Sequence, residues 1–192
     1  MRGAVVLACV ERYSEDHGHE GAVVAFGRLP SALRRMGDAS LPGFGLDAGM
    51  RYPSLLLGYL LRAMFVQTLP RDHGTFFREL AEGVLDRLPT DPGPYDIETV
   101  LQRLWDQLHD SGGVRVAWQS PSELEVVVDA WPGEHEWVGR LWLAMVEIVA
   151  ASVVGPGTTV RHHECSARPS LGGCVHRIRV RPAPPTAQPM QP

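Results

Sequence analysis

The sequence predicts an α+β fold, with a helical N-terminal half (residues 1–110) followed by a β-β-α-β-β half (residues 113–181) built on an antiparallel sheet. Two observations support this. Apolar residues recur at helical spacing through the first half, and in the second they alternate with polar residues on both sides of one long amphipathic segment. Helices followed by strands along the chain are typical of an α+β domain. We expect residues 1–181 to form a single domain and the Pro-rich, uncharged residues 182–192 to form a disordered tail.

The first fifty residues predict helices followed by a loop. Gly3–Ser14 has the pattern of a mostly buried helix. Glu20–Arg35 is also helical in pattern, but Pro30 divides it into two short helices. The glycine-rich segment Gly37–Gly49 is predicted to be a loop.

The next predicted helix is apolar on nearly every side. Tyr52-Pro53 opens it, because a proline in the first turn loses no helical hydrogen bond. From Leu55 to Phe65 the only charged residue is Arg62, and Pro70 ends the pattern. A helix of this kind is buried on most sides or lines a cavity.

Two amphipathic helices complete the helical half. Thr75–Leu88 has one apolar stripe and one charged face. After a Pro-rich connector, Asp96 is predicted to cap a helix whose apolar face runs from Ile97 to Leu108.

The second half predicts two hairpins flanking one helix. Residues alternate over Val114–Trp118 and Leu124–Val128, and the helix Glu134–Val154 follows. Two further strands are predicted over Thr158–Cys165 and Cys174–Val180. One face of the last strand should be solvent-exposed and basic, with Arg177, Arg179 and Arg181.

Composition excludes several classes of function. All 18 basic residues are arginine, so chemistry that needs a Schiff-base or phosphate-loop lysine is impossible. No nucleophile–base motif is visible, and we expect the protein not to be an enzyme. The net charge of -4 argues against a nucleic-acid partner.

The sequence also predicts a cytoplasmic protein. The longest apolar stretch, Leu141–Val154, is too short to span a bilayer, and the start of the chain does not resemble a signal peptide. Three cysteines are too few for a disulfide scaffold.

The last two strands carry most of the metal-binding residue types. Strand alternation places His163 and Cys165 on one face, and Cys174 and His176 share a face as well, so these four residues are a candidate zinc site. Cysteines packed as small apolar residues with solvated histidines, or a Cys165–Cys174 disulfide in an oxidising compartment, are the alternatives.

Several motifs resemble one superfamily of ligand-binding domains. The opening Met1-Arg2-Gly3-Ala4-Val5-Val6 and the order of elements resemble haem-NO-binding (H-NOX-like) domains. The segment from His163 to Ile178, with its Cys…Gly…Cys run, resembles the ending of vinyl-reductase-type domains. Tyr52-Pro53 and Leu104-Trp105 with Asp110-Ser111-Gly112 resemble a group of uncharacterised myxobacterial proteins, which implies a bacterial origin.

The resemblance to H-NOX domains implies a haem ligand on a helix, but the motif is incomplete. The position matching the proximal histidine is Trp105, which cannot ligate iron, and His109 lies one turn away as a possible haem ligand. The Tyr-x-Ser-x-Arg motif for the haem propionates corresponds to residues 118–122, where only Ser120 matches. The missing tyrosine and arginine argue against haem held in the H-NOX manner.

The resemblance to vinyl-reductase-type domains implies a small aromatic effector beside a structural zinc. Cys165 and Cys174 match the two cysteines, His162 falls where the family has a glutamate, and His135 is the nearest candidate for the remaining ligand. The resemblance therefore implies His162, whereas strand alternation favours His163.

Together these observations predict a non-enzymatic sensor or binding module that holds a small hydrophobic molecule in an apolar pocket and signals through a partner protein. A haem-based gas sensor using His109 and a structural scaffold without ligand, which could be a homodimer, are the alternatives. The residues predicted to line the pocket are Leu56, Tyr59, Leu60, Phe65, Trp105 and Trp142.

Overall fold

The computed structural model describes residues 1–68, 73–87, 96–109, 112–120, 123–131, 136–168 and 173–182, with the backbone alone at residues 130–131, 162–168 and 173–176. The predicted tail from residue 183 onward lies outside the described residues. The helices are α1 (Gly3–Gly27), α2 (Ser31–Arg34), α3 (Ser54–Gln67), α4 (His73–Arg87), α5 (Ile97–Leu108) and α6 (Glu136–Val153). The strands are β1 (Gly113–Ser120), β2 (Glu123–Trp131), β3 (Thr159–Arg168) and β4 (Gly173–Arg181).

Helix α1 is longer than the sequence predicts. It continues through the polar residues after Ser14 and is interrupted only at Gly18, whose φ of 74° and ψ of 165° are not helical. A positive φ suits glycine, so the chain bends there without forming a loop. The predicted break at Pro30 is present, since the short helix α2 begins directly after it.

The start of the chain is fixed between α3 and α5. The Met1 ammonium donates to the Tyr52 carbonyl at 3.0 Å, and the Arg2 N–H donates to the Leu108 carbonyl at 3.3 Å. Gly3 lies so close to the neighbouring loop that a Cβ there would be 2.0 Å from the Asp47 carbonyl oxygen. Only glycine permits this approach, which brings the chain terminus to the end of α5.

Helix α5 begins and ends as its sequence predicts. The Asp96 side chain accepts a hydrogen bond from the Thr99 N–H at 2.8 Å and so satisfies one of the free donors of the first turn. Leu101, Leu104, Trp105 and Leu108 form its buried face. In the middle of the helix, Gln102 accepts a hydrogen bond from the Val114 N–H at 2.6 Å, which attaches α5 to β1.

The strands form one antiparallel sheet in the order β1-β2-β4-β3. Its inner face is apolar, with Val114, Leu124, Val126, Ile178 and Val180 buried. Helix α6 packs against β3 as well as against α3, α4 and α5, so it joins the helical half to the sheet. The fold is α+β, as predicted.

The outer face of the sheet carries the predicted basic strand. Each of its arginines is paired with a glutamate of β2, which the strand pattern does not show. Arg177 is 3.0 Å from Glu125, and Arg179 and Arg181 are 2.8 and 2.7 Å from Glu123. No helix in the described part of the chain combines the length and apolar character needed to cross a membrane.

Candidate functional site

Helix α5 places Trp105 and His109 one above the other at its C-terminal end. Residues four apart lie on the same face of a helix, and here the two rings stack with centroids 4.0 Å apart and planes 20° apart. The His109 N–H donates to the Trp105 carbonyl at 2.8 Å, which makes His109 the last residue held by the helix.

Trp142 of α6 completes a group that we call the aromatic core, consisting of Trp105, His109 and Trp142. The Trp142 ring meets Trp105 edge to face, with centroids 5.2 Å apart and planes 78° apart. Edge-to-face contact is a preferred geometry for aromatic pairs. The three side chains are 1%, 7% and 2% exposed, so they lie inside the protein, where the helical half meets the sheet half.

Burial sets the protonation state of His109. Loss of solvation lowers the pKa of its imidazole to about 4, and the nearby Met1 ammonium acts in the same direction. The imidazole is therefore neutral at pH 7, with one ring nitrogen able to donate and the other able to accept. The aromatic core thus holds an uncharged imidazole beside two indole rings in an apolar interior.

The residues predicted to line one pocket are divided between several places. Trp105 and Trp142 belong to the aromatic core, and Leu56 and Leu60 are buried in the general core. Phe65 lies in a different aromatic group: its ring is 4.1 Å from His73 and 5.3 Å from both Phe76 and Trp137. Tyr59 lies on the opposite side of α3 and lines a surface cleft.

The group around Phe65 is not predictable from the sequence. The residues around His73 have a loop-like pattern, but His73 begins α4 and stacks on Phe65. Trp137 of α6 contacts both. These contacts join the consecutive helices α3 and α4 to the distant α6, and no pattern within a single helix carries a signal for them.

Two surface clefts are lined by described residues. One, of about 410 Å³, lies between the end of α1 and the outer side of α3 and includes Tyr59. The other, of about 610 Å³, lies between α1, the turn at Pro42 and the end of α4. In this second cleft the Arg87 guanidinium contacts both Glu11 and Glu15, so its charge is paired.

The candidate zinc residues lie on β3 and β4, whose backbone register is described. The paired positions are Cys165 with His176, Ala167 with Cys174, and His162 with Ile178, with a shift in register between His162 and Glu164. An extra residue at such a shift reverses the alternation of a strand. His162 rather than His163 therefore lies on the same face of the sheet as Cys165, Cys174 and His176.

The zinc site nevertheless stays a prediction. The side chains of residues 162–176 lie outside the described part of the structure, as does His135. Among the residues whose side chains are described, no three His, Cys, Asp or Glu side chains are grouped so that they could hold a metal ion.

The described residues do not fit haem held in the H-NOX manner. The position that the sequence resemblance assigns to the iron ligand is Trp105, whose indole nitrogen is a donor only, because its lone pair belongs to the aromatic ring. Ser120 of the propionate motif is exposed at the end of β1, close to a 58% exposed Trp118, and residues 121–122 lie outside the described residues. Trp118 supplies neither the hydroxyl nor the guanidinium of that motif.

Comparison with known proteins shows the fold. No family model and no curated protein matches the chain. Solved H-NOX structures do match it. The chain is similar to an H-NOX structure solved to study the molecular mechanism of H-NOX activation, with a TM-score of 0.65 and 11% identity. The match covers 98% of this chain and 100% of the other. It is also similar to a mutant of T. tengcongensis H-NOX, with a TM-score of 0.64, 12% identity, and 97% and 100% covered.

A further similar structure is the oxygen complex of an oxygen-binding H-NOX domain related to soluble guanylate cyclases. Its TM-score is 0.60 and its identity 11%, with 100% of both chains covered. At this identity the likeness concerns the fold and leaves the predicted relation to a myxobacterial group untested. The chain has an H-NOX-like fold.

Proposed function

We propose that the protein is a non-enzymatic binding module that takes a small, uncharged, apolar molecule at the aromatic core. The observation that supports this most directly is the neutral, buried His109 stacked on Trp105 and next to Trp142. An apolar interior with one polar group of perturbed pKa is the usual composition of a small-molecule site. The oxygen-binding H-NOX domain of similar fold is in keeping with a ligand-binding role.

Binding at the aromatic core would change the helices around it. The two indole rings are 1% and 2% exposed, so a ligand enters by displacing one of them. Trp105 belongs to α5 and Trp142 to α6, and α6 also packs against α3 and α4. Displacement of either ring would therefore move elements that reach the protein surface, where a partner protein could sense the change.

The described thiol is not suited to catalysis. Complete burial raises the pKa of Cys9 to about 12, which keeps it in the unreactive thiol form. Cys9 is therefore not a candidate nucleophile.

Thermal unfolding with a panel of uncharged apolar molecules tests the proposal. We expect indole, phenol or toluene to raise the melting temperature and to change tryptophan fluorescence. His109→Gln should weaken that response, because it alters the polar group of the core, whereas Trp118→Phe should leave it unchanged because Trp118 is exposed. A panel that moves neither the melting temperature nor the fluorescence would contradict the proposal and leave the scaffold alternative.

Haem belongs in the same panel because His109 is neutral and therefore able to ligate a metal. A Soret band that is lost in His109→Gln would mean that the ligand of the aromatic core is haem and not an uncharged apolar molecule. A band that survives this substitution would mean that haem binds elsewhere.

A further inference from the structure

The outer side of α3 has a composition unlike the rest of the helix. Leu55, Arg62 and Val66 are exposed on this side, with the half-buried Tyr59 between them, whereas the opposite side is buried. Leu55 is 47% and Val66 45% exposed. Apolar and charged groups thus share a solvent-exposed helix face.

This face forms one wall of the 410 Å³ cleft, which we call the arginine cleft. The end of α1 and the residues that follow it form the other wall. Two guanidinium groups, Arg28 and Arg62, border a floor of buried apolar residues, Leu29 and Ala63. The full lining is Arg28, Leu29, Pro30, Tyr59, Arg62, Ala63 and Val66.

Neither guanidinium of the arginine cleft has an ion-pair or hydrogen-bond partner among the described residues. Elsewhere arginines at interfaces between elements are paired, as Arg87 is with Glu11 and Glu15. A positive charge near the end of α1 is favoured by the helix dipole, which accounts for Arg28 without a ligand. That explanation does not apply to Arg62, which lies in the middle of α3.

The segment that carries most of the arginine cleft is basic although the protein as a whole is acidic. Residues 21–68 contain five arginines and two aspartates, a charge of +3 in a chain of net charge -4. Among the described residues, no acidic one belongs to the lining of the cleft, so Arg28 and Arg62 attract anions from solution.

The same part of the chain carries most of the exposed apolar surface. Six of the eight large apolar side chains that are exposed among the described residues belong to it: Val24, Met36, Leu41, Met50, Leu55 and Val66. Of these, Val66 lines the arginine cleft, so the cleft has exposed apolar surface beside its two charges.

We infer that the arginine cleft binds an amphipathic anion, meaning a carboxylate or phosphate carried on an alkyl or aryl body. Arg28 and Arg62 contact the anionic group, and Leu29, Ala63 and Val66 contact the apolar body. Guanidinium groups form charge-assisted hydrogen bonds with both kinds of anion. The lining of the arginine cleft shares no residue with the aromatic core. The inference therefore does not depend on the proposed function.

Binding of octanoate and octyl phosphate to the ¹⁵N-labelled full chain tests the inference by NMR. We expect saturable shifts at the amides of Leu29, Ala63 and Val66. Octylammonium and octanol, which share the alkyl chain but lack the negative charge, should bind at least about tenfold more weakly, the usual effect of losing a hydrogen bond to a charged group. Equal affinity for octanol and octanoate, or shifts confined to other parts of the protein, would overturn the inference.

Single substitutions identify the charges involved. Arg62→Gln and Arg28→Gln should each lower the affinity for octanoate about tenfold, for the same reason. Arg34→Gln is the matched control, because Arg34 is exposed in the same basic region and has no described partner but does not line the cleft. An equal loss in Arg34→Gln would reduce the effect to general electrostatics and refute the assigned site.

A vesicle experiment distinguishes the two sources of such an anion. Phosphatidylglycerol vesicles that retain the protein, with retention lost in Arg62→Gln but not in Arg34→Gln, would identify a lipid headgroup. Octanoate binding without vesicle retention would identify a free molecule. Failure of both probes would refute the inference.

Discussion

The aromatic core lies between α5 and α6, whereas the arginine cleft lies between α3 and the end of α1, and the two regions differ in how they hold charge. In the core, burial lowers the pKa of His109 to about 4, so its polar group is neutral at pH 7. In the cleft, Arg28 and Arg62 remain exposed and have no described partner. The difference follows from solvent: burial keeps an ionisable group uncharged inside the protein, whereas an exposed guanidinium keeps its charge.

The largest expected effect comes from removing a ring of the aromatic core. Trp105→Ala should lower the free energy of unfolding by about 3–5 kcal/mol, because it leaves a cavity in a site that is 1% exposed. Trp118→Ala is the matched control: its ring is 58% exposed, and its loss should change stability by less than about 0.5 kcal/mol. Urea denaturation measures both. Similar values for the two variants would show that the core ring is not packed as described.

The second effect tests the neutral histidine. The pKa of His109 falls from 6.5 to about 4 on folding, so between these values the unfolded chain binds the extra proton. His109 therefore makes stability decrease as the pH falls from 6.5 to 4, with little effect above pH 7.

We expect His109 to account for about 2 kcal/mol of the stability lost between about pH 7 and pH 4.5. His109→Gln should lose correspondingly less over this range, whereas His17→Gln, which changes a partly exposed histidine, should behave like the unsubstituted protein. Urea denaturation at several pH values gives the comparison. Identical pH dependence in both variants would indicate that His109 can be protonated in the folded state.

Features of the fold that depend on neighbouring residues are predictable from the sequence. The cap at Asp96, the apolar face of α5 and the alternation of β4 are patterns of neighbouring residues, and the structure has all three. The extension of α1 past Ser14 is not predictable in this way, because polar residues on an exposed helix look like a loop and Gly18 bends the chain without ending the helix.

Contacts between helices are not encoded in local patterns. Phe65 and Trp105 are both large apolar residues on apolar helix faces, but one packs against His73 and Trp137 and the other against His109 and Trp142. Which aromatic meets which depends on how helices cross, and side-chain spacing along one helix does not determine that. The ion pairs of the β4 arginines are not predictable from local patterns either, because their glutamate partners lie on another strand.

A smaller effect concerns the helix that positions the core. Asp96→Ala removes the acceptor of the Thr99 N–H and should lower the free energy of unfolding by about 1 kcal/mol. Asp96→Ser keeps an acceptor and should restore most of it. If the alanine and serine variants were equally stable in urea, the cap would not support α5, and the position of His109 would depend on tertiary packing alone.

The smallest effect belongs to the arginine cleft and has the opposite sign. Arg62 has no described ion pair and lies among residues of net positive charge, so its own charge is slightly unfavourable in the folded protein. Arg62→Gln should leave stability unchanged or raise it by a few tenths of a kcal/mol at low ionic strength. This gain should disappear in about 0.5 M salt, which screens exposed charges within a few ångströms.

Urea denaturation at the two salt concentrations measures the difference. A loss of more than about 1 kcal/mol, beyond the usual range for an exposed charge, would mean that Arg62 serves the fold. The aromatic core and the arginine cleft would then both stabilise the fold, and the contrast between them would not hold.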